Sequence, residues 1–302
     1  MASNETAPGY ELGPGFDFRL YRYTPSLEGA IVSVVVFAIL TAVHFWRLIR
    51  ARSFYFIPFL VGGAFQAIGY CGRIWSHYDE ESIGGFVIQA ILILVAPALF
   101  AASIYMILGR LIRAVGAEHH SLIPVIWVTR IFVTGDVISF SLQAGGGGVQ
   151  SAGTLEMYDI GEKIIIAGLF MQISIFGFFV VTSVLFNHRL VRSPTVLSER
   201  GDVAWRRHFA MLYAASGLIL VRSIFRVVEY LQGNGGYLIS HEIFLYVFDT
   251  ILMAGVMALF AIWYVGDLEK KRPSMTDSEM PSSSDGMMHD LSPRGKGPVA
   301  VA

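Results

Sequence analysis

The chain has 302 residues, of which 54% are hydrophobic and 15% charged, with a mean hydropathy of +0.58 and a net charge of -1. That balance identifies an integral membrane protein and gives no electrostatic ground for a nucleic-acid partner. A single cysteine, Cys71, excludes an internal disulfide and any CxxC metal or redox motif.

The first 26 residues are polar, hold Pro8, Gly9, Gly13, Pro14 and Gly15, and lack the apolar core of a cleavable signal. They are expected to form an extracellular tail, in which Asn4-Glu5-Thr6 is a glycosylation sequon. Seven apolar segments of spanning length follow, at roughly 27–48, 54–74, 84–108, 122–142, 164–186, 207–230 and 241–265. The first must act as its own insertion signal. Between the fourth and fifth, the stretch from Ala144 to Lys163 contains four consecutive glycines, Gly145 to Gly148, and no Lys-Ser/Thr of a phosphate loop. It is expected to be a flexible loop. From Gly266 the chain is rich in Ser, Pro and acidic residues, including Ser282-Ser283-Ser284-Asp285, and reads as a disordered cytoplasmic tail open to phosphorylation. The expected organisation is therefore an all-α membrane protein: a tail at 1–26, seven transmembrane helices within 27–265, and a tail at 266–302.

Orientation follows from the basic residues, because short cytoplasmic loops carry the Lys and Arg excess. Arg47, Arg50 and Arg52 lie in the first connection, Arg110 and Arg113 in the third, and Arg189, Arg192, Arg200, Arg206 and Arg207 in the fifth. Lys270, Lys271, Arg272, Arg294 and Lys296 follow the last segment, so 15 of the 22 basic residues share one side. The expectation is an N-terminus outside and a C-terminus in the cytoplasm. The connection at residues 187–206 and the C-terminal tail are then candidate sites for a cytoplasmic partner.

Away from their ends, the apolar segments hold five charges: Arg130, Asp136, Arg222, Arg226 and Asp249. At roughly 2.5 to 3.5 kcal/mol per central charge, the four other than Arg130 would cost about 10 to 14 kcal/mol if they faced lipid unpaired. They should pair or line water. Arg222, Arg226 and Glu229 form one stripe at i, i+4 and i+7, and Glu242 and Asp249 form another at i and i+7. With the orientation above, both stripes occupy the outer half of the membrane, together with Gln66, Tyr70, Arg73, Gln89, Asp136, Gln143 and Gln172. Arg130, nearer the cytoplasmic half, is the exception. The sixth and seventh segments share a short connection, so Arg222 and Arg226 are expected to pair with Asp249, Glu242 or Asp136. The bland reading is a structural network that locks the bundle and binds nothing. The sharper one is a substrate-binding site, because several amides and a tyrosine share the same depth.

Enzymatic readings find little support. His44 is inside a segment and reads as a packed or interfacial histidine, while His119-His120 reads as a solvated loop pair. Ser103, Ser139 and Ser223 have no histidine at matching depth, and the seventh segment offers no lysine for a retinal Schiff base. No metal, catalytic residue or cofactor is expected. The absence of a nucleotide-binding motif argues against direct ATP drive.

Several motifs carry a resemblance: Gly62-Gly63-Ala64-Phe65-Gln66-Ala67-Ile68-Gly69-Tyr70-Cys71-Gly72-Arg73; Gln89 with Ala96-Pro97-Ala98; Gly135-Asp136-Val137-Ile138-Ser139 with Gln143; and Gly168-Leu169 with Gln172. Arg222-Ser223-Ile224-Phe225-Arg226-Val227-Val228-Glu229-Tyr230 and Glu242 with Tyr246-Val247-Phe248-Asp249 complete the series. Over about residues 21 to 265 the chain resembles the fungal RTA-like family, also called the lipid-translocating exporter family. The resemblance implies seven helices, an outer N-terminus, and members linked to export of sphingoid bases, resistance to toxic amphiphiles and, in one branch, porphyrin uptake. Two positions depart from the pattern. The family usually has an acid where this chain has Gln66, and a His-Pro pair near Tyr264-Val265-Gly266-Asp267. The first departure weakens any carry-over of proton handling there.

The expected function is a plasma-membrane exporter or translocator of amphipathic lipids or toxic amphiphiles, working through an outward-facing polar cavity. Arg222 and Arg226 would engage a phosphate or carboxylate, and Asp136, Glu242 and Asp249 an amine. A seven-helix lipid-sensing receptor that changes resistance indirectly is the alternative.

Overall fold

The computed structural model describes residues 24–79, 82–150, 154–199, 204–233 and 236–263. The Asn4 sequon, the residues from Tyr264 to Asp267 and the Ser-rich tail lie outside them. Among the described residues, seven helices are long and apolar enough to cross a membrane. They are α1 (Leu27–Ala51), α2 (Ile57–Tyr78), α3 (Ile83–Ala114), α4 (Val125–Gln150), α5 (Leu155–Arg192), α6 (Trp205–Leu231) and α7 (Glu242–Ile262).

Local sequence explains where several begin. Ser26, Ser82 and Thr154 each precede an apolar run, and each side-chain oxygen accepts the amide hydrogen bond of the residue three places on. At Pro124, whose carbonyl accepts from Trp127 and Val128, the ring opens α4 rather than loosening its interior. Arg52 closes α1 in the left-handed conformation, at φ 53°.

Each helix packs on its sequence neighbour, and α7 returns to α1. In the middle stands α3, which also touches α6; 61% of its apolar window is buried, against 22% for α1. The remaining helices turn apolar residues such as Ile31, Val32, Val35 and Ile39 outward, as a lipid environment requires. Contacts gather the arginine-rich connections at one end of the bundle. Arg110 lies 3.8 Å over the Tyr55 ring, Arg207 lies 5.9 Å over Trp263, and Arg47 donates to the carbonyl of Ala261. This end is called the basic end below. Near it His44 is fully buried, beside the rings of Phe56 and Phe59 and with Nε2 3.0 Å from the carbonyl of Met257, a packed histidine as expected.

The stretch expected to be a flexible glycine loop is helical instead. Through Gly145–Gly148 the helix α4 runs on to Gln150, and α5 begins at Leu155. The reason lies in packing: a Cβ on Gly146 would stand 2.8 Å from the carbonyl oxygen of Gly161, and one on Gly161 would stand 2.6 Å from that of Gly146. Paired glycines let the backbones of α4 and α5 touch, and in a membrane that contact and the need to satisfy every backbone group override poor helix propensity. On α2 the same device operates at Gly62, Gly69 and Gly72, which meet Phe100, Ile93 and the Gly85 carbonyl of α3.

Candidate functional site

Polar side chains concentrate where α7 faces α2 and α6. This helix is not uniform: Tyr246–Ile251 form a π-helical stretch between the α-helical turn Glu242–Leu245 and the α-helix Leu252–Ile262. Such widened turns recur at functional sites. Here the stretch buries Asp249 and Thr250.

Two ion-pair groups hang on α7. Toward its start, Glu242 Oε1 takes Arg73 Nη2 at 2.6 Å, the Tyr246 hydroxyl at 3.0 Å and the Ser26 amide at 2.8 Å. About two turns deeper, Arg222 Nε stands 2.6 Å from Asp249 Oδ1 and Arg226 Nη1 stands 3.8 Å from Oδ2. The Arg222–Asp249 contact is close in distance, yet its N–H is not aligned on the carboxylate, so charge attraction rather than a directed hydrogen bond holds it. Arg222 Nη2 donates to the carbonyl of Ile93 in α3, and Arg226 Nη1 reaches Glu229 Oε2 at 2.7 Å. Tyr70 connects the groups. Its ring stacks on Tyr246 at 6.4 Å, and its hydroxyl bonds that of Thr250.

The network is closed. Arg73 is 0%, Arg222 2% and Asp249 1% exposed, so no open polar cavity of the expected kind surrounds these three. The partial openings are at Glu242 and Arg226, whose side chains keep 18% and 16% exposure.

The other expected site residues lie elsewhere. Asp136 does not pair with either arginine; it accepts a hydrogen bond at 2.9 Å from the Tyr105 hydroxyl, because α4 packs on α3 and α5 and its inner face, which carries Phe132 beside Asp136, meets Tyr105 and Phe179. Gln143 donates to Gln172 at 3.0 Å across the α4–α5 seam. Gln89 is buried near the start of α3, where a Cβ on Gly72 would stand 3.1 Å from its backbone nitrogen. Gln66 is fully buried with neither amide atom hydrogen-bonded. Arg130, read from the sequence as a buried charge, is exposed; it sits near the basic end of α4, over the Trp127 ring at 5.6 Å. Sequence reasoning missed Ser26, Tyr105, Tyr246 and Thr250 as site residues. For Tyr246 a signal existed, since it stands at i+4 from Glu242 and shares its face. Ser103, Ser139 and Ser223 donate to carbonyls four residues back in their own helices, the ordinary behaviour of helical serines.

A family model described as "RTA1 like protein" matches residues 59–272, which covers every network residue except Ser26. The chain belongs to the RTA1-like family. Among its RTA1-like relatives is "Protoporphyrin uptake protein 1" of Saccharomyces cerevisiae, 39% identical over 81% of this chain and 91% of the relative. "Protein RTA1" of the same yeast is 36% identical over 81% of this chain and 84% of its own length. A more distant RTA1-like relative, "Sphingoid long-chain base transporter RSB1", also from Saccharomyces cerevisiae, is 26% identical over 82% of this chain and 74% of its own. No solved structure matches. This RTA1-like chain is a multi-pass membrane protein in which ion pairs among the described residues gather α2 and α6 onto α7.

Proposed function

We propose that the chain moves amphipathic lipids of the sphingoid-base kind, or related toxic amphiphiles, across the plasma membrane without chemical change. The observation that carries this reading is the Arg222–Asp249–Arg226–Glu229 network on the widened turn of α7. It presents both signs of charge within a few ångströms, inside apolar helices. A cationic amine would compete for Asp249, Glu229 or Glu242, and a phosphate or carboxylate for Arg222 or Arg226. With the basic end in the cytoplasm, the network occupies the outer half of the bundle and cargo reaches it past Glu242 and Arg226. Names of two relatives support the class: one is a sphingoid long-chain base transporter, another a protoporphyrin uptake protein.

A receptor reading draws on a different feature. The third and fifth connections dock at the basic end, where the Thr195 hydroxyl donates to the carbonyl of Val115. They frame a groove of about 490 Å³ lined by His119, His120, Pro194 and Leu197, which a cytoplasmic partner would occupy. Flux of a labelled sphingoid base across liposomes holding the purified full chain separates the two readings. Transport predicts flux above empty liposomes that is lost in folded Arg226→Ala and Asp249→Asn variants. Flux equal to that of empty liposomes would overturn it and favour the receptor.

A further inference from the structure

The membrane-facing side of the α4–α5 pair carries a groove of about 580 Å³, within the size range of small-molecule ligand sites. Its walls include Trp127, Arg130, Ile131, Ile138, Ile175 and Phe178. All of these charged and apolar groups lie apart from the α7 network. Gly135 lies in its lining against the Ile175 side chain, where a Cβ would stand 2.6 Å from Ile175 Cδ1. From Trp127 to Ile138 the groove follows eleven residues of helix, about 16 Å, close to the depth of one leaflet's hydrocarbon.

Arg130 is the one charged residue of this lining. It is exposed, it stands five residues into α4, and no carboxylate among the described residues forms an ion pair with it. A guanidinium about 8 Å below the helix start belongs at the headgroup boundary, where its own chain gives it a π-face on Trp127 but no anion. The hydroxyl of Ser174 is already bound to the carbonyl of Phe170, so the apolar remainder of the groove offers no competing anchor on α5.

We propose that this groove is a binding site for an anionic lipid of the leaflet at the basic end. Its phosphate or carboxylate pairs with Arg130 beside Trp127, and one acyl chain lies along Ile131 and Ile138 against Ile175 and Phe178. The charge pattern selects the occupant: an apolar groove alone accepts any lipid, whereas an unpaired guanidinium at its mouth favours a net negative headgroup. This site stands independently of the transport reading, since none of its residues belongs to the α7 network.

Native mass spectrometry of the delipidated full chain tests it, titrated with phosphatidylserine, phosphatidylcholine, a free fatty acid and glycerophosphoserine. Phosphatidylserine should be retained at least about tenfold better than phosphatidylcholine, a preference expected of one charge-assisted contact. Arg130→Gln should abolish that preference, Arg130→Lys should keep part of it, and Ser174→Trp, which fills the groove, should lower retention of every lipid. Better retention of the fatty acid than of phosphatidylserine would identify the anion as a carboxylate and still support the site. Glycerophosphoserine should not bind. Equal retention of the two phospholipids, an unchanged preference in Arg130→Gln, or binding of glycerophosphoserine alone would overturn the proposal.

Discussion

At the scale of single residues, the chemistry of this protein rests on charges that the bilayer would reject one at a time. Arg222 and Asp249 are each almost fully buried, so removing one leaves the other without compensation. Asp249→Ala is therefore expected to destabilise the folded state by about 3 to 5 kcal/mol, read from unfolding in mixed micelles. Arg222→Met combined with Asp249→Leu should recover most of that loss, because a well-packed apolar pair no longer carries the desolvation cost. Additive losses in the double variant would contradict the pairing. Gln66 behaves in the opposite way. Its two unpaired amide atoms are a cost to folding, and Gln66→Leu should raise stability by about 1 to 3 kcal/mol. A drop in lipid flux accompanying that rise would assign the amide to cargo, while unchanged flux would leave it a packing residue. The sequence made these residues visible because charge inside an apolar segment is conspicuous. It could not make visible which partner each would take: Asp249, Glu242 and Asp136 were all open as partners of the arginines, and Asp136 instead takes Tyr105.

Among the helices, the α4–α5 pair shows what a residue-type reading hides. Four consecutive glycines signal a loop in water, yet Gly146 and Gly161 interlock here and carry the helices past the expected ends of both segments. Gly161→Leu should lower the melting temperature by several degrees, since its side chain would drive into the Gly146 carbonyl and Gln150. Gly147→Leu, with nothing within 4 Å, should leave it unchanged. Equal effects at both positions would refute the interlock. On α7 the π-helical stretch could not be read from periodicity either, because the apolar pattern of Glu242–Ile262 is continuous across it. Segment number and type were legible throughout, for the reason that spanning length and hydropathy are properties of composition. Helix ends were less so: they depend on what the neighbouring helix offers, as at Gln150.

Across the bundle as a whole, contacts between consecutive helices and between α7 and α1 close a ring that α3 bridges to α6, and the α7 network ties α2, α3 and α6 to α7. That closure holds the charges shut in an apolar bundle, so a translocator of this design has to part α6 from α7 before cargo can exchange with Arg222 and Asp249. Phe225 and Phe248 stack at 4.4 Å beside the network and mark the seam that would open. The decisive measurement is sphingoid-base flux through liposomes containing a Phe225→Cys/Phe248→Cys variant in a Cys71→Ser background, before and after linking the two thiols with a short reducible cross-linker. Opening at this seam requires that flux exceed that of empty liposomes before linkage, fall to their level once α6 and α7 are joined, and return when the linker is reduced. Flux that continues undiminished through the linked protein would contradict it, because cargo would then cross without opening the charged seam.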